Sequence, residues 1–219
     1  MKPIPLLYFV TPEIGNDIAK WKRLIQKAVE GGIEMIQIRD KTSPKHLIFE
    51  AAQEIQPLLK TANIPLIIND DVDLALALKA DGIHLGQSDL KVTQARAMLG
   101  DKALVGLSVE TLEQAANSQC ENITYLAASP VFETKTKRDC QEPWGISGLK
   151  HLCSVSCHPI YAIGGIHLNN IESVLGCGVA GIAIISAIAQ ANCPKTATKE
   201  FLNSIRQYAR GNVPKIIDG

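Results

Sequence analysis

The sequence predicts a (β/α)₈ barrel of the TIM type, with residues 1–219 forming one domain. Three observations lead there. Short apolar runs alternate with stretches of helical periodicity along the whole chain. About eight such pairs follow one another at a spacing of about 20 to 30 residues, as βα units do. The apolar runs are also continuous, the pattern of parallel strands covered on both faces. A chain of 219 residues suits eight compact units. An open doubly wound sheet with fewer strands is the alternative architecture.

Taken in order, the strand candidates are P-L-L-Y-F-V (5–10), I-E-M-I-Q-I (33–38), P-L-I-I-N (65–69) and G-I-H-L (82–85). They continue with A-L-V-G-L (103–107), I-T-Y-L (123–126), P-I-Y-A-I (159–163) and G-I-A-I-I (181–185). Between them, stretches such as 17–30, 44–60 and 168–177 carry apolar residues at three- and four-residue spacing. No linker-like change of composition divides the chain. The longest irregular stretch is 129–145, and a loop of that length in a compact domain is functional or disordered.

Composition narrows the function classes. Lys plus Arg number 22 and Asp plus Glu number 22, so no global field attracts nucleic acid or an anionic membrane. Any anion site must be local. The six cysteines (Cys120, Cys140, Cys153, Cys157, Cys177 and Cys193) form no C-x-x-C pair and read as free thiols of a reducing compartment. The start, M-K-P-I-P-L-L-Y-F-V, lacks a small-residue cleavage site, and no run approaches the roughly 20 apolar residues of a membrane span. The expectation is a cytoplasmic protein with small-molecule substrates and with no nucleic-acid or membrane partner. A homo-oligomer is left open.

In a TIM barrel, reactive groups stand at or just beyond the C-terminal strand ends. After the second strand candidate, Gln37, Arg39 and Lys41 fall on alternate positions and share one face. A guanidinium fork and a mobile ammonium at the mouth of a core suit an anion pocket. The third strand candidate ends in N-D-D (69–71) and the fourth runs into H-L-G-Q-S-D (84–89). Aspartates before helices also serve as plain N-caps, so one of Asp70 and Asp71 reads as a cap, and Asp89 has the same alternative. Yet carboxylates after neighbouring strands face one another, and Mg²⁺ takes one or two carboxylates plus substrate phosphates. Asp70 and Asp89 fit that need. His84 lies within a strand and reads as a satisfied core histidine.

Ser108 ends G-L-S at the rim, with no G-x-S-x-G elbow to make it a hydrolase nucleophile. In the long loop Thr134 and Thr136 alternate with Lys135 and Lys137, hydroxyls and cations that suit a phosphate. Gly164 and Gly165 permit backbone to approach a ligand. Ile185 and Ser186 begin a helix whose free N–H groups bind anions. The loops after strands seven and eight are the usual phosphate site of this barrel. The pattern is two anion sites, a diphosphate with Mg²⁺ at one and a monophosphate at the other.

In register, Q-I-R-D-K, N-D-D, H-L-G-Q-S-D, G-L-S, T-K-T-K, I-G-G-I and I-S-A-I resemble the thiamine phosphate synthase family, a match running from about residue 5 to residue 210. The resemblance implies a TIM barrel that joins a hydroxymethylpyrimidine diphosphate to a thiazole phosphate and releases pyrophosphate. It implies Mg²⁺ on Asp70 and Asp89. It places the pyrimidine diphosphate on Gln37, Ile38, Arg39, Asp40, Lys41, Asn69, Ser108 and Lys137, with Lys137, Arg39, Lys41 and Ser108 as the catalytic groups. The thiazole phosphate falls to Thr134, Lys135, Thr136, Gly165, Ile185 and Ser186. One departure stands out: Ala127 and Ser129 occupy positions where the family usually has glycine, which would narrow the pyrimidine pocket. The related thiazole tautomerase resembles the chain in V-F-E-T (131–134) but has a histidine where Pro130 stands here. A non-catalytic phosphate-binding protein is the remaining reading.

Overall fold

A computed structural model describes residues 5–119, 121–134 and 142–211. Eight parallel strands close into a barrel in sequence order: β1 (Leu7–Val10), β2 (Met35–Ile38), β3 (Leu66–Asn69), β4 (Gly82–Leu85), β5 (Leu104–Val109), β6 (Tyr125–Ala128), β7 (Ile160–Ile163) and β8 (Gly181–Ile184). β1 pairs with β8, Tyr8 opposite Ala183, so the sheet has no edge. Helices α1 (Ile18–Glu30), α2 (Lys45–Thr61), α3 (Val72–Leu78), α4 (Val92–Leu99), α5 (Leu112–Asn117), α6 (Gly145–Val155) and α7 (Ile171–Leu175) link successive strands. A four-residue α8 (Ser186–Ala189) follows β8, and α9 (Pro194–Gly211) completes the outer ring.

The predicted barrel is thus the observed one, with shifted element ends. β3 and β7 start one residue after Pro65 and Pro159, because proline has no N–H to give the ladder. β5 and β6 run two residues further than the apolar runs suggested, to Val109 and Ala128. The helical stretch at 168–177 shrinks to α7, since Asn170 turns the chain by accepting from the His167 N–H and donating to the Gly165 carbonyl.

Two cores result. The larger lies between the barrel wall and the helices, where Ile36, Ile38, Ile68, Ile83 and Leu126 meet the apolar stripes of the helix ring. The smaller fills the barrel itself with Tyr8, Met35, Ile67, Tyr125 and Tyr161. The three tyrosine rings meet edge-on or tilted, with centroids 4.8 to 6.0 Å apart. Glycines make room for them: a Cβ at Gly181 would stand 2.4 Å from the Tyr161 ring.

At the N-terminal floor, side chains close off the strand starts. Glu34 accepts from the Leu6 N–H at 2.6 Å and from Arg206 of α9 at 2.9 Å. Asp81 accepts from the Leu66 N–H, Thr124 from the Val105 N–H, and Tyr161 donates to the Pro5 carbonyl. α9 packs close to α1 because Gly31 lacks the Cβ that would strike Thr198. No helix among the described residues is long and apolar enough to cross a membrane.

Candidate active site

The C-terminal strand ends enclose a cavity of about 380 Å³. β2 places Gln37 on its inward face, and beyond the strand Arg39 and Lys41 line the mouth. Asp40, between them, is not among the lining residues. Its carboxylate accepts from the N–H groups of Ile14, Thr42 and Ser43 at 2.8 to 2.9 Å. Burial opposes the charge, yet these donors hold the carboxyl below its usual range. Asp40 therefore fixes the loop that aims its two cationic neighbours. Ile38 is buried toward the helices. The cavity thus gathers Gln37, Arg39 and Lys41 but neither Ile38 nor Asp40, because inward and outward positions alternate along the strand.

The N-D-D triplet divides its labour. Asp71 is the N-cap of α3, accepting from the Leu74 N–H at 3.0 Å and pairing with Lys45 at 2.6 Å. Asp70 adopts a left-handed φ of 61° and lines the cavity, with its carboxylate 3.0 Å from the Lys41 ammonium. Asp89 caps no helix, since Lys91 precedes α4; instead it accepts from the Gly86 N–H at 2.7 Å and faces Asp70. Burial, and after it the Asp70 carboxylate, push the Asp89 carboxyl above its usual range. Two half-buried carboxylates in mutual reach are held against their own repulsion, with one lysine to offset them. That donor set fits a hard divalent cation. Among the described residues no group of three or more His, Cys, Asp or Glu is arranged to hold a metal. Asp70 and Asp89 would supply two carboxylates, a number compatible with Mg²⁺, which keeps positions for water and substrate oxygens.

On the opposite side of the mouth, Thr134, Gly164, Gly165, Ile185 and Ser186 line the cavity. Gly164 and Gly165 have φ of 102° and 65°. A Cβ at either would strike the β6–α6 loop, 2.7 Å from Pro130 or from Phe132. The glycine pair thus serves loop packing rather than only the approach of a ligand. Ser186 opens the four-residue α8 and, with Ile185 and Ala187, lines the cavity. Lys135, Thr136 and Lys137 lie outside the described residues.

Below the mouth, Asn69, His84 and Ser108 complete the polar lining with Gln37. His84 is more than a core histidine: Nε2 lies 2.8 Å from the Ser108 hydroxyl, and Nδ1 lies 3.1 Å from the Tyr125 hydroxyl. Tyr125 in turn donates to Tyr8 at 3.0 Å, and the Gln37 amide also donates to Tyr8. Sequence reasoning missed Tyr8, Gln87, Glu110 and Gln114, all of which line the cavity. The signal for Glu110 was available, two residues past Ser108 and just beyond the end of β5. Ala127 and Ser129 also line the cavity, so their side chains do occupy its wall.

The thiamine monophosphate synthase family model matches residues 7–188. The thiamine-phosphate synthase of Vibrio campbellii is 44% identical over 200 residues, covering 91% of this chain and 98% of that protein. The thiamine-phosphate synthase of Leptospira biflexa is 42% identical over 188 residues, covering 84% of this chain and 90% of that protein. Among solved structures, thiamine phosphate pyrophosphorylase from Pyrococcus furiosus superimposes with a TM-score of 0.82 at 31% identity, covering 93% of this chain and 96% of that one. With a family model spanning most of the chain and relatives of this identity over nearly their whole length, the chain belongs to the thiamine monophosphate synthase family.

Proposed function

We propose that this chain is a thiamine-phosphate synthase, a transferase that condenses hydroxymethylpyrimidine diphosphate with a thiazole phosphate to give thiamine phosphate and pyrophosphate. The observation that carries the reading is the mouth itself, where Arg39 and Lys41 stand beside the paired carboxylates of Asp70 and Asp89. That juxtaposition suits a metal-bound diphosphate, and the family supplies the reaction class.

The carbon–oxygen bond between the pyrimidine methylene and the diphosphate breaks, and its electron pair leaves with pyrophosphate. The electron-rich aminopyrimidine delocalises the resulting cation. The thiazole nitrogen then gives its lone pair to the methylene carbon, forming the new carbon–nitrogen bond. Arg39 and Lys41 meet the charge that grows on the leaving group, and Lys137 is proposed to join them. Asp70 and Asp89 would hold Mg²⁺, which when bound neutralises diphosphate oxygens. Gln37, Asn69 and Ser108 orient the pyrimidine, while Thr134, Lys135, Thr136, Gly165, Ile185 and Ser186 hold the thiazole phosphate so that its nitrogen faces the reacting carbon. Orientation and charge complementarity suffice, and no protein nucleophile is required.

Purified protein given both substrates and Mg²⁺ should form thiamine phosphate and pyrophosphate in equal amounts. Absence of both products would overturn the reading. Interconversion of thiazole tautomers without condensation would replace it with the isomerase alternative.

A further inference from the structure

Gln37 on β2 and Ser108 on β5 both face the cavity, and beneath them runs an unbroken chain of buried polar contacts. The Gln37 amide donates to Tyr8, Tyr125 donates to Tyr8 at 3.0 Å, Nδ1 of His84 lies 3.1 Å from Tyr125, and Nε2 lies 2.8 Å from Ser108. Tyr8, Gln37, His84 and Tyr125 are all buried, so each of these contacts must be matched, donor to acceptor. Room for the His84–Tyr125 pair is built into the wall: a Cβ at Gly106 would lie 2.3 Å from the Tyr125 ring and 2.6 Å from Nδ1.

With Tyr125 as the donor to Tyr8, the rest of the chain takes one sense. Tyr125 spends its proton on Tyr8 and can meet Nδ1 only as an acceptor. In a neutral ring Nδ1 then carries the hydrogen and Nε2 is an acceptor. Ser108 must donate to it, which leaves only oxygen lone pairs facing the cavity.

We propose that His84 is a positioning residue: the relay from Tyr8 through Tyr125 holds its imidazole as the Nδ1–H tautomer and so presents Ser108 to the substrate as a hydrogen-bond acceptor. The kinetic part rests on the synthase reading. The tautomer does not.

The test uses the full chain. Nitrogen-15 spectra of histidine-labelled protein should show His84 as the Nδ1–H tautomer. In Tyr125→Phe the Nδ1–H loses its acceptor, and the ring should switch to Nε2–H and turn the Ser108 hydrogen into the cavity. KM for the pyrimidine diphosphate should then rise about tenfold, the scale of one buried hydrogen bond. KM for the thiazole phosphate should stay within about twofold, and adding Ser108→Ala should cost little more, since members of one network are non-additive. Tyr161→Phe is the control: it removes a hydroxyl that bonds Pro5 outside the relay, and it should leave tautomer and KM unchanged. An Nε2–H tautomer in the wild-type protein overturns the proposal, as do additive effects of Tyr125→Phe and Ser108→Ala. A wild-type protein with the Nδ1–H tautomer but no condensing activity overturns the synthase reading alone.

Discussion

The two ends of the barrel treat charge in opposite ways. At the floor, Glu34 is fully engaged, taking the Leu6 N–H and the Arg206 guanidinium. At the mouth, Asp70 and Asp89 face each other with Lys41 as their common cation, and burial and proximity raise the Asp89 carboxyl. A folded chain relaxed for stability alone would not place two carboxylates so. The contrast separates groups selected for holding the barrel from groups selected for what enters it, a division often seen in this architecture.

Four substitutions test that contrast, the largest effect first. Asp89→Asn keeps an oxygen for the Gly86 N–H but removes the charge. It should lower kcat/KM by roughly 10² to 10³, the scale of one preorganised electrostatic contact, and leave the melting temperature unchanged or raised. Steady-state condensation kinetics and thermal denaturation check both halves; full activity at low Mg²⁺ would remove Asp89 from the proposed metal site. Glu34→Ala should behave inversely, destabilising by about 2 kcal/mol because the Leu6 N–H loses its acceptor, with kcat/KM preserved below the transition. A matching loss of activity in urea-free buffer would erase the distinction between the two ends.

Ser186→Asp divides the mouth itself. A fixed carboxylate beside the α8 N–H groups should raise KM for the thiazole phosphate about tenfold while that for the pyrimidine diphosphate moves little, as expected when like charge meets an anion site. Equal changes in both would merge the two anion sites into one. The smallest effect belongs to Asp71→Ala, which should destabilise by about 1 kcal/mol through the lost α3 cap and leave the proposed Mg²⁺ dependence alone. Burial opposes the Asp71 charge, but Lys45 and the Leu74 N–H hold its carboxyl low. Its stabilising contribution is therefore full near neutral pH and is lost as pH falls below about 4, toward the depressed folded value. Denaturation curves between neutral and acid pH should be flatter for Asp71→Ala than for the wild-type protein.

Much of this was legible in the sequence. The barrel declared itself through continuous apolar runs, and Gln37, Arg39 and Lys41 through polar groups at the end of one of them. The sequence reading set Asp70 with Asp89 and left the cap to Asp71, but residue types alone held no physical ground for that order. Both precede the same helix, and only the backbone turn at Asp70 sends one side chain into the cavity and the other to the cap. His84 was obscured for a related reason. A histidine inside an apolar strand looks the same whether it fills space or links a serine to a tyrosine, because its partners come from β5 and β6, some 20 and 40 residues on. Gly164 and Gly165 were recognised as necessary, but the groups they accommodate, Pro130 and Phe132, belong to a different loop.

The left-handed backbone at Asp70 has a consequence for anyone improving this protein by selection. An L-residue in that conformation carries a strain of about 1 kcal/mol that glycine does not, and removing its carboxylate also relieves the crowding against Asp89. Asp70→Gly is thus a substitution that a screen for heat resistance alone would reward. Libraries sorted only by survival at high temperature should accumulate glycine at this position and fill with sturdy barrels that no longer make product, so any such campaign needs turnover as a second gate.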